Sequence, residues 1–373
     1  MAEIRTTHAG SLPRPDDLAD MIWKRMDGEP VDESAIEERL NSAVAEVVQK
    51  QREAGIDVVS DGEMSKTGFS TYVGDRFSGF EGRSEFQADD VADFPELAMR
   101  LFNTPTMAHV IFSNCVGPVE LTDKEAVHKD IERLKAALGG DPSDAFMGAV
   151  SPGQIAFNYP NQQYGSHEEY LAALADALSY EYNAIVDAGL NLQIDSPDMA
   201  MAAHCRSVGS SVGDWHTHLP LAVDALNAAL EGIPPEKVRL HVCWGNYGGP
   251  HHKDVPLRDI IEQVYRVNAG TIYPEGANPR HEHEWRVFEE TPLPDDKSVI
   301  VATIDVKSNY IEHPQVVADR LVRMAKIVGK DRVMAGTDCG FDTFIRFSLV
   351  DPKVAWLKLK SLSEGAELAS SQV

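Results

Sequence analysis

A histidine and a cysteine, His241 and Cys243, stand two residues apart in the stretch RLHVCWGNYGG at positions 239–249. The alternation of apolar and polar residues, followed by a glycine-rich turn, predicts the C-terminal end of a β-strand. Side chains two residues apart on a strand share a face, so an imidazole and a thiol lie side by side. Zinc favours this ligand pair, but a site needs at least three protein groups. Alone, the pair is more typical of a buried cysteine beside a hydrogen-bonded core histidine.

Three further cysteines, Cys115, Cys205 and Cys339, lie far from Cys243 in the sequence. In an intracellular chain, such scattered cysteines favour metal binding or catalysis over a disulfide framework. Cys339 follows another apolar run, in RVMAGTDCG, and therefore also stands at a predicted strand end. Cys115 and Cys205 carry no such signal, and we interpret them as packing residues.

The composition points to a globular protein with small-molecule partners. The chain has 373 residues, which is long enough for one large barrel or two average domains. Of these residues, 43% are hydrophobic and 25% are charged, as is usual for a globular protein. Its net charge of -25 argues against binding to nucleic acid or to anionic membranes. The N-terminus has no apolar signal region, and no run approaches the ~18 apolar residues typical of a membrane span. We expect a cytoplasmic protein, with a homo-oligomer left open.

Strand-like and helix-like segments alternate along most of the chain. Eight strands are predicted, in residues 3–14, 56–63, 147–153, 192–198, 238–243, 270–280, 299–306 and 332–340. This alternation predicts an α/β fold, a (β/α)8 TIM barrel formed by one domain over residues 1–373. No glycine-rich phosphate turn follows any strand, which argues against a dinucleotide-binding sheet. Residues 64–144 break the rhythm and are predicted to be an insertion after the second strand.

Catalytic groups of such barrels stand at the C-terminal strand ends. The polar residues at these ends are Ser11, Glu63, Asp195, His241, Cys243, Glu275, Lys307, Asp338 and Cys339. Barrel closure brings the ends of the fifth, sixth and eighth strands to one mouth. One histidine, two cysteines and one carboxylate from these strands would form a tetrahedral Zn²⁺ site.

Several motifs at these strand ends resemble the cobalamin-independent methionine synthase superfamily. They are TTHAGSLPR, DGE, HVCWGN, EGANPRHEHEW, EHP and GTDCGF, and they most resemble the single-barrel relatives typified by epoxyalkane:coenzyme M transferase. The similarity spans nearly the whole chain and is weakest in residues 64–144. It implies a zinc-dependent barrel enzyme that alkylates a thiol.

The resemblance also implies roles for individual residues. The positions that match the zinc ligands are His241, Cys243, Glu275 and Cys339. Ser11 matches a position that holds the polar tail of the thiol, and Glu63 and Asp195 match acids that hold the amino group of homocysteine. The synthases carry a histidine after the seventh strand where this chain has Lys307 nearby, and we take Lys307 and Asp338 as the catalytic candidates.

Two thiol substrates remain open at this stage. The acids Glu63 and Asp195 suit a cationic amino group and so favour homocysteine, whereas the HVCWGN and EGANPRHEHEW motifs are closer to the epoxide-opening enzymes that use coenzyme M. The alkyl donor is correspondingly a methyl donor or an epoxide. Two other classes remain: a metal-free barrel of the uroporphyrinogen decarboxylase type, and a non-catalytic protein that binds a thiol or a metal.

Overall fold

A parallel sheet forms the centre of the protein. The computed structural model describes residues 3–373. Six strands pair in chain order in this sheet: Phe146–Val150, Asn191–Asp195, Val238–Val242, Thr271–Pro274, Ser298–Ile304 and Val333–Thr337. Every strand pair in the sheet is parallel, which requires each connection to cross back over the sheet.

Two short segments close this sheet into a barrel. Thr6 forms a parallel bridge to Ala335 on the last strand, and Val59 forms one to Ala145, next to the first of the six strands. The two segments also contact each other, because the backbone N–H of Val58 donates to the carbonyl of Thr6 at 3.0 Å. Eight strand positions therefore form the barrel, and the predicted (β/α)8 fold is confirmed. We number the barrel strands from first to eighth in chain order.

Long helices cover the outside of the barrel. They are Asp16–Met26, Glu33–Glu53, Lys124–Leu138, His167–Asp187, Trp215–Ala229, Leu257–Arg266, Pro314–Val328 and Pro352–Ser370. Glu33–Glu53 shows why they form. The Asp32 side chain caps it by accepting from the N–H groups of Ser34 and Ala35, and its residues at helical spacing, including Ile36 and Leu40, are buried. No helix among residues 3–373 has the length and apolar character needed to cross a bilayer.

Short helices complete the secondary structure. The α-helical ones are Val73–Arg76, Asp89–Ala92, Pro95–Phe102, Pro105–His109, Pro152–Asn158, Asp198–Met201 and Val287–Glu290. Four are 3₁₀ helices: Pro142–Asp144, Pro235–Lys237, Glu284–Arg286 and Lys330–Arg332. Several of them lie in the loops after the barrel strands, where they shape the mouth.

The irregular segment after the second strand divides into two parts. Its last helix, Lys124–Leu138, packs against Glu33–Glu53 and His167–Asp187 and takes the place of a barrel helix. The preceding residues, 64–123, lie outside the strand–helix repeat, and we call them the excursion. Within it, Phe80–Ser84 pairs antiparallel with Phe112–Cys115, and Phe86–Ala88 pairs with Cys205–Ser207.

Candidate metal centre

Three buried side chains meet at the C-terminal mouth of the barrel. The ligand atoms of His241, Cys243 and Cys339 all lie within 4.8 Å of one another. His241 belongs to the fifth strand and Cys243 follows it directly, whereas Cys339 follows the eighth strand. The Nδ1 atom of His241 donates to the carbonyl of Tyr273 at 3.0 Å, which leaves Nε2 free to bind a metal.

The pKa values of the two thiols shift in opposite directions. A hydrogen bond from Cys339 lowers the pKa of Cys243 to about 5, against the effect of burial and with the help of His241. Burial and the neighbouring Cys243 raise the pKa of Cys339 well above its usual range. Burial lowers the pKa of His241, but contact with Cys243 outweighs it and raises the net value. One imidazole and two sulfur atoms that share a proton in this way suit a zinc ion, which replaces that proton when it binds.

Glu275, the expected fourth ligand, is not part of this group. Its Oε1 atom accepts from the ammonium of Lys307 and from Nδ2 of Asn278, the latter at 2.7 Å. Its Oε2 atom accepts from the backbone N–H of Trp244 at 3.0 Å. Burial raises the pKa of Glu275, but Lys307, with help from His281 and His251, outweighs this effect and lowers the net value. The carboxylate therefore lies beside the centre as an anion paired with Lys307.

Asp338 holds the loop that follows the sixth strand. Its carboxylate accepts from the backbone N–H groups of Gly276, Ala277 and Asn278, at 2.9, 2.6 and 2.9 Å. Burial raises the pKa of Asp338 to about 6, with Glu275 acting in the same direction. Because both of its oxygen atoms face these donors, Asp338 fixes the loop that carries Glu275.

The three-residue group lines a cavity of about 390 Å³. Six of the nine residues selected from the sequence line it: Ser11, Glu63, Asp195, His241, Cys243 and Cys339. The other three, Glu275, Lys307 and Asp338, are not among the lining residues. The structure thus separates the nine into a cavity-lining set and a supporting set.

A run of aromatic rings forms the outer wall of the cavity. Neighbouring ring centroids lie 5.7 to 6.5 Å apart along Tyr247, Phe102, Phe86, Phe112, Phe344 and then Phe69 or Phe347. Four of these rings come from the excursion, and Phe344 and Phe347 follow the eighth strand. The sequence prediction missed this wall. Its only signal was the aromatic content of the irregular segment, whose position over the mouth could not be read from a helix or strand period.

Two acids, Glu63 and Asp195, also line the cavity. Burial raises the pKa of Glu63 to about 8 and that of Asp195 to about 6. Among residues 3–373, Oε2 of Glu63 has no hydrogen-bond partner. Glu63 also has a φ of 59°, an uncommon backbone conformation for a non-glycine residue that is found at functional sites. This pair of acids is suited to a cation in the cavity.

Three basic residues that could anchor an anionic substrate, Arg14, Lys307 and Arg280, have partners elsewhere. Arg14 pairs with Asp342 at 2.8 Å, and Lys307 pairs with Glu275. Arg280 donates to the carbonyl of His252 at 3.3 Å. None of the three lines the cavity.

Comparisons with known proteins agree with this architecture. The sequence profile described as "Cobalamin-independent synthase, Catalytic domain" matches residues 4–140 and 146–351. The chain is 26% identical over 374 residues to methionine synthase of Sulfolobus acidocaldarius, covering 99% of this chain and 93% of that protein. It is 25% identical over 402 residues to 2-hydroxypropyl-CoM lyase of Xanthobacter autotrophicus, covering 99% and 96%.

Comparison with solved structures shows the same fold. A B12-independent methionine synthase from Shewanella sp., solved in complex with selenomethionine, superposes with a TM-score of 0.74 at 24% identity, covering 100% of this chain and 99% of that one. A second such protein, from Listeria monocytogenes, has a TM-score of 0.67 at 19% identity, covering 98% of both. Because the family profile covers most of the chain, the protein belongs to the cobalamin-independent synthase family, through its catalytic domain.

Proposed function

We propose that this protein is a zinc-dependent enzyme that transfers a methyl or alkyl group to a small thiol. The observation that carries the proposal is the buried group of His241, Cys243 and Cys339 on the wall of a cavity. Zinc bound there would deprotonate a substrate thiol and so supply a sulfur nucleophile at neutral pH. The names of the two relatives both concern a sulfur compound, methionine in one case and a coenzyme M derivative in the other.

The acids in the cavity favour an amino thiol, of which homocysteine is the example, over coenzyme M. A buried ammonium group needs an anionic partner, because an unpaired buried charge is strongly destabilising. Glu63 and Asp195 line the cavity and would provide that partner. They would repel the sulfonate of coenzyme M. Among residues 3–373, Arg83 is the one arginine or lysine on the cavity lining; it is exposed and donates to the carbonyl of Ala108 at 3.3 Å.

The aromatic wall suits the alkyl donor. Its rings face the same cavity as the cysteine pair, so they can hold an apolar group next to the attacking sulfur. In the transfer, a sulfur–carbon bond forms while the bond between that carbon and its leaving group breaks. A donor bound against these rings would also exclude water, which would strengthen the electrostatic interactions of the sulfur anion.

An assay that uses iodomethane as a simple methyl donor tests the proposal. Zinc-loaded protein is mixed with homocysteine and iodomethane, and the methionine that forms is quantified by chromatography. We expect faster formation than for the free thiol at the same pH, and no acceleration by protein stripped of zinc. Protein that takes up no zinc, or zinc protein that binds neither homocysteine nor coenzyme M, would contradict the proposal and favour a metal-free barrel or a binding protein.

A further inference from the structure

A short helix at the barrel mouth carries two amide side chains on the lining of the cavity. The helix Pro152–Asn158 follows the third barrel strand, and both Gln154 and Asn158 line the cavity. Residues four apart on a helix lie on the same face, so the two amides are neighbours. Both residues are buried, with 1% and 2% of their surface exposed. The helix therefore presents a polar face to a cavity that is otherwise rich in aromatic rings.

The amide of Gln154 has an unused hydrogen-bonding atom. Among residues 3–373, its buried Oε1 atom has no hydrogen-bond partner. The amide of Asn158 differs, because its Nδ2 atom donates to the hydroxyl of Ser70 at 3.0 Å. A buried polar atom without a partner is destabilising, and such atoms are rare in folded proteins. On the lining of a cavity, a ligand can supply the missing partner.

The backbone that carries Gln154 is fixed. The hydroxyl of Ser151 accepts from the N–H of Gln154 at 3.0 Å and donates to the buried Asp198 at 3.0 Å. A side-chain carbon added at Gly153 would lie 2.1 Å from a carboxylate oxygen of Asp198 and 2.8 Å from the side chain of Ala222, so the helix packs closely against its neighbours. The Gln154 amide is therefore held at the cavity by a rigid element, as recognition of a ligand requires.

The same helix contacts the aromatic wall. The carbonyl of Asn158 accepts from the hydroxyl of Ser84 at 3.4 Å and from that of Ser207 at 3.0 Å, and both serines lie on the short strands outside the barrel. The ring of Phe157 packs against that of Phe86, a member of the wall, with the centroids 6.2 Å apart. A ligand that lies against the wall can therefore reach the amide face of the helix.

Resting on the proposed function, we infer that Gln154 recognises the alkyl donor, and that this donor carries an uncharged hydroxyl or N–H group close to the carbon that is transferred. The thiol has no need of this amide, since its sulfur is assigned to the metal group and its ammonium to Glu63 and Asp195. The wall holds the apolar part of the donor, and Oε1 of Gln154 accepts a hydrogen bond from the polar part. A wholly apolar donor would leave this buried oxygen unpaired and would bind less well.

Two epoxides of nearly equal size test the inference. Glycidol carries a hydroxyl group where 1,2-epoxybutane has a methyl group. In both reactions, the thiolate sulfur of homocysteine bonds to the ring CH₂ carbon, the bond from that carbon to oxygen breaks, and the oxygen takes a proton from the solvent in place of the one that the thiol lost. The thioether that forms is quantified by chromatography, and kcat/KM is determined for each epoxide.

The zinc-loaded proteins compared are the wild type, Gln154→Met and Gln163→Met. Methionine resembles glutamine in shape but offers only a weak acceptor. Gln163 is exposed and is not among the lining residues, so Gln163→Met is the matched control. Thermal unfolding of each protein identifies a variant that fails to fold.

We expect the wild type to favour glycidol over 1,2-epoxybutane about fivefold or more, relative to the ratio of the two uncatalysed rates, because one hydrogen bond distinguishes them. Gln154→Met should lose this preference, and Gln163→Met should keep it. An undiminished preference for glycidol in Gln154→Met would overturn the inference. If Gln154→Met does not fold, the wild type remains a test, since the absence of any preference for glycidol overturns the inference without a variant.

Isothermal titration with homocysteine separates recognition of the donor from recognition of the thiol. A Gln154→Met protein that loses affinity for homocysteine but keeps the preference for glycidol would assign Gln154 to the thiol and overturn the inference. Wild-type zinc protein that accelerates the reaction of homocysteine with none of glycidol, 1,2-epoxybutane and iodomethane would instead refute the proposed function, so the two failures are distinguishable.

Discussion

The sulfur atoms of Cys243 and Cys339 lie within 4.8 Å of each other, although one cysteine follows the fifth barrel strand and the other follows the eighth. The sixth and seventh strands separate them in the sheet. The two thiols meet because the parallel strands curve into a closed barrel and both loops turn inwards at the same mouth. Barrel closure is therefore what creates the candidate metal centre.

Loss of either of these cysteines should remove most of the bound metal. We expect Cys243→Ser and Cys339→Ser to retain little zinc after dialysis, because each change removes one ligand of a three-residue set. Elemental analysis of the purified proteins measures this. Cys115→Ser is the matched control, since Cys115 is equally buried but lies outside the group, and it should keep its zinc. Full zinc occupancy in both site variants would show that the ligand assignment is wrong.

Glu63→Gln should discriminate between thiols that differ by an amino group. We expect homocysteine to bind about 30-fold or more weakly, because removing one partner of a buried charge pair costs ~2 kcal/mol or more. The matched ligand is 4-mercaptobutanoate, which is homocysteine without its amino group, and its affinity should not fall. Isothermal titration of the zinc protein measures both. An equal loss of affinity for the two ligands would show that Glu63 does not bind the ammonium group.

The stability of the metal-free protein should depend on pH through Glu63. Burial raises the pKa of Glu63 from 4.5 to about 8 in the folded protein. The neutral carboxyl therefore contributes stability that is fully present below 4.5 and is lost as the pH rises through about 8. Glu63→Gln stays neutral, so its unfolding free energy relative to the wild type should increase across this range.

This difference should reach about 4–5 kcal/mol, because the pKa of Glu63 rises from 4.5 to about 8 and one pKa unit corresponds to about 1.4 kcal/mol. Urea denaturation of both metal-free proteins at several pH values measures it. As the control, the zinc-loaded proteins saturated with homocysteine should show a smaller difference, since an ammonium group favours the ionised carboxylate. A difference that stays constant with pH would contradict the assignment of a neutral buried carboxyl to Glu63.

Asp338→Asn should destabilise the loop after the sixth strand. In the wild type, the backbone N–H groups donate to two carboxylate oxygen atoms. An asparagine offers only one acceptor oxygen, and its NH₂ group would face other donors. We expect a loss of about 1–3 kcal/mol in the free energy of unfolding, as for buried donors left without a partner. Asp331→Asn, an exposed change just before the eighth strand, is the control and should stay within about 0.5 kcal/mol. Equal stabilities would show that Asp338 does not hold the loop.

The barrel and the meeting of His241, Cys243 and Cys339 could be predicted from the sequence because both depend on a regular repeat. Strand and helix periods gave the order of the barrel units, and a parallel barrel places every strand end at one mouth. His241, Cys243 and Cys339 needed no more than that rule and their positions at strand ends. The prediction was therefore independent of how far apart the residues stand in the chain.

The remaining features depend on contacts that no local period encodes. The ion pair between Glu275 and Lys307 is set by the tertiary packing of two loops, so the sequence could not indicate it. From the sequence, Glu275 was predicted only as a fourth metal ligand. Four rings of the aromatic wall come from the excursion, whose short strands pair with one another or with Cys205–Ser207 and not with the barrel strands. Helix Lys124–Leu138 has a clear apolar face, but its position next to this irregular segment led to its inclusion in the predicted insertion.

The most direct test of the central proposal is X-ray absorption at the zinc edge, recorded with and without homocysteine. In the thiol-free protein, we expect two sulfur ligands, at the ~2.3 Å typical of zinc–sulfur bonds, from Cys243 and Cys339. Addition of homocysteine should increase the number of sulfur ligands to three in the wild type. A sulfur count that does not change at saturating homocysteine would contradict activation of the thiol by zinc.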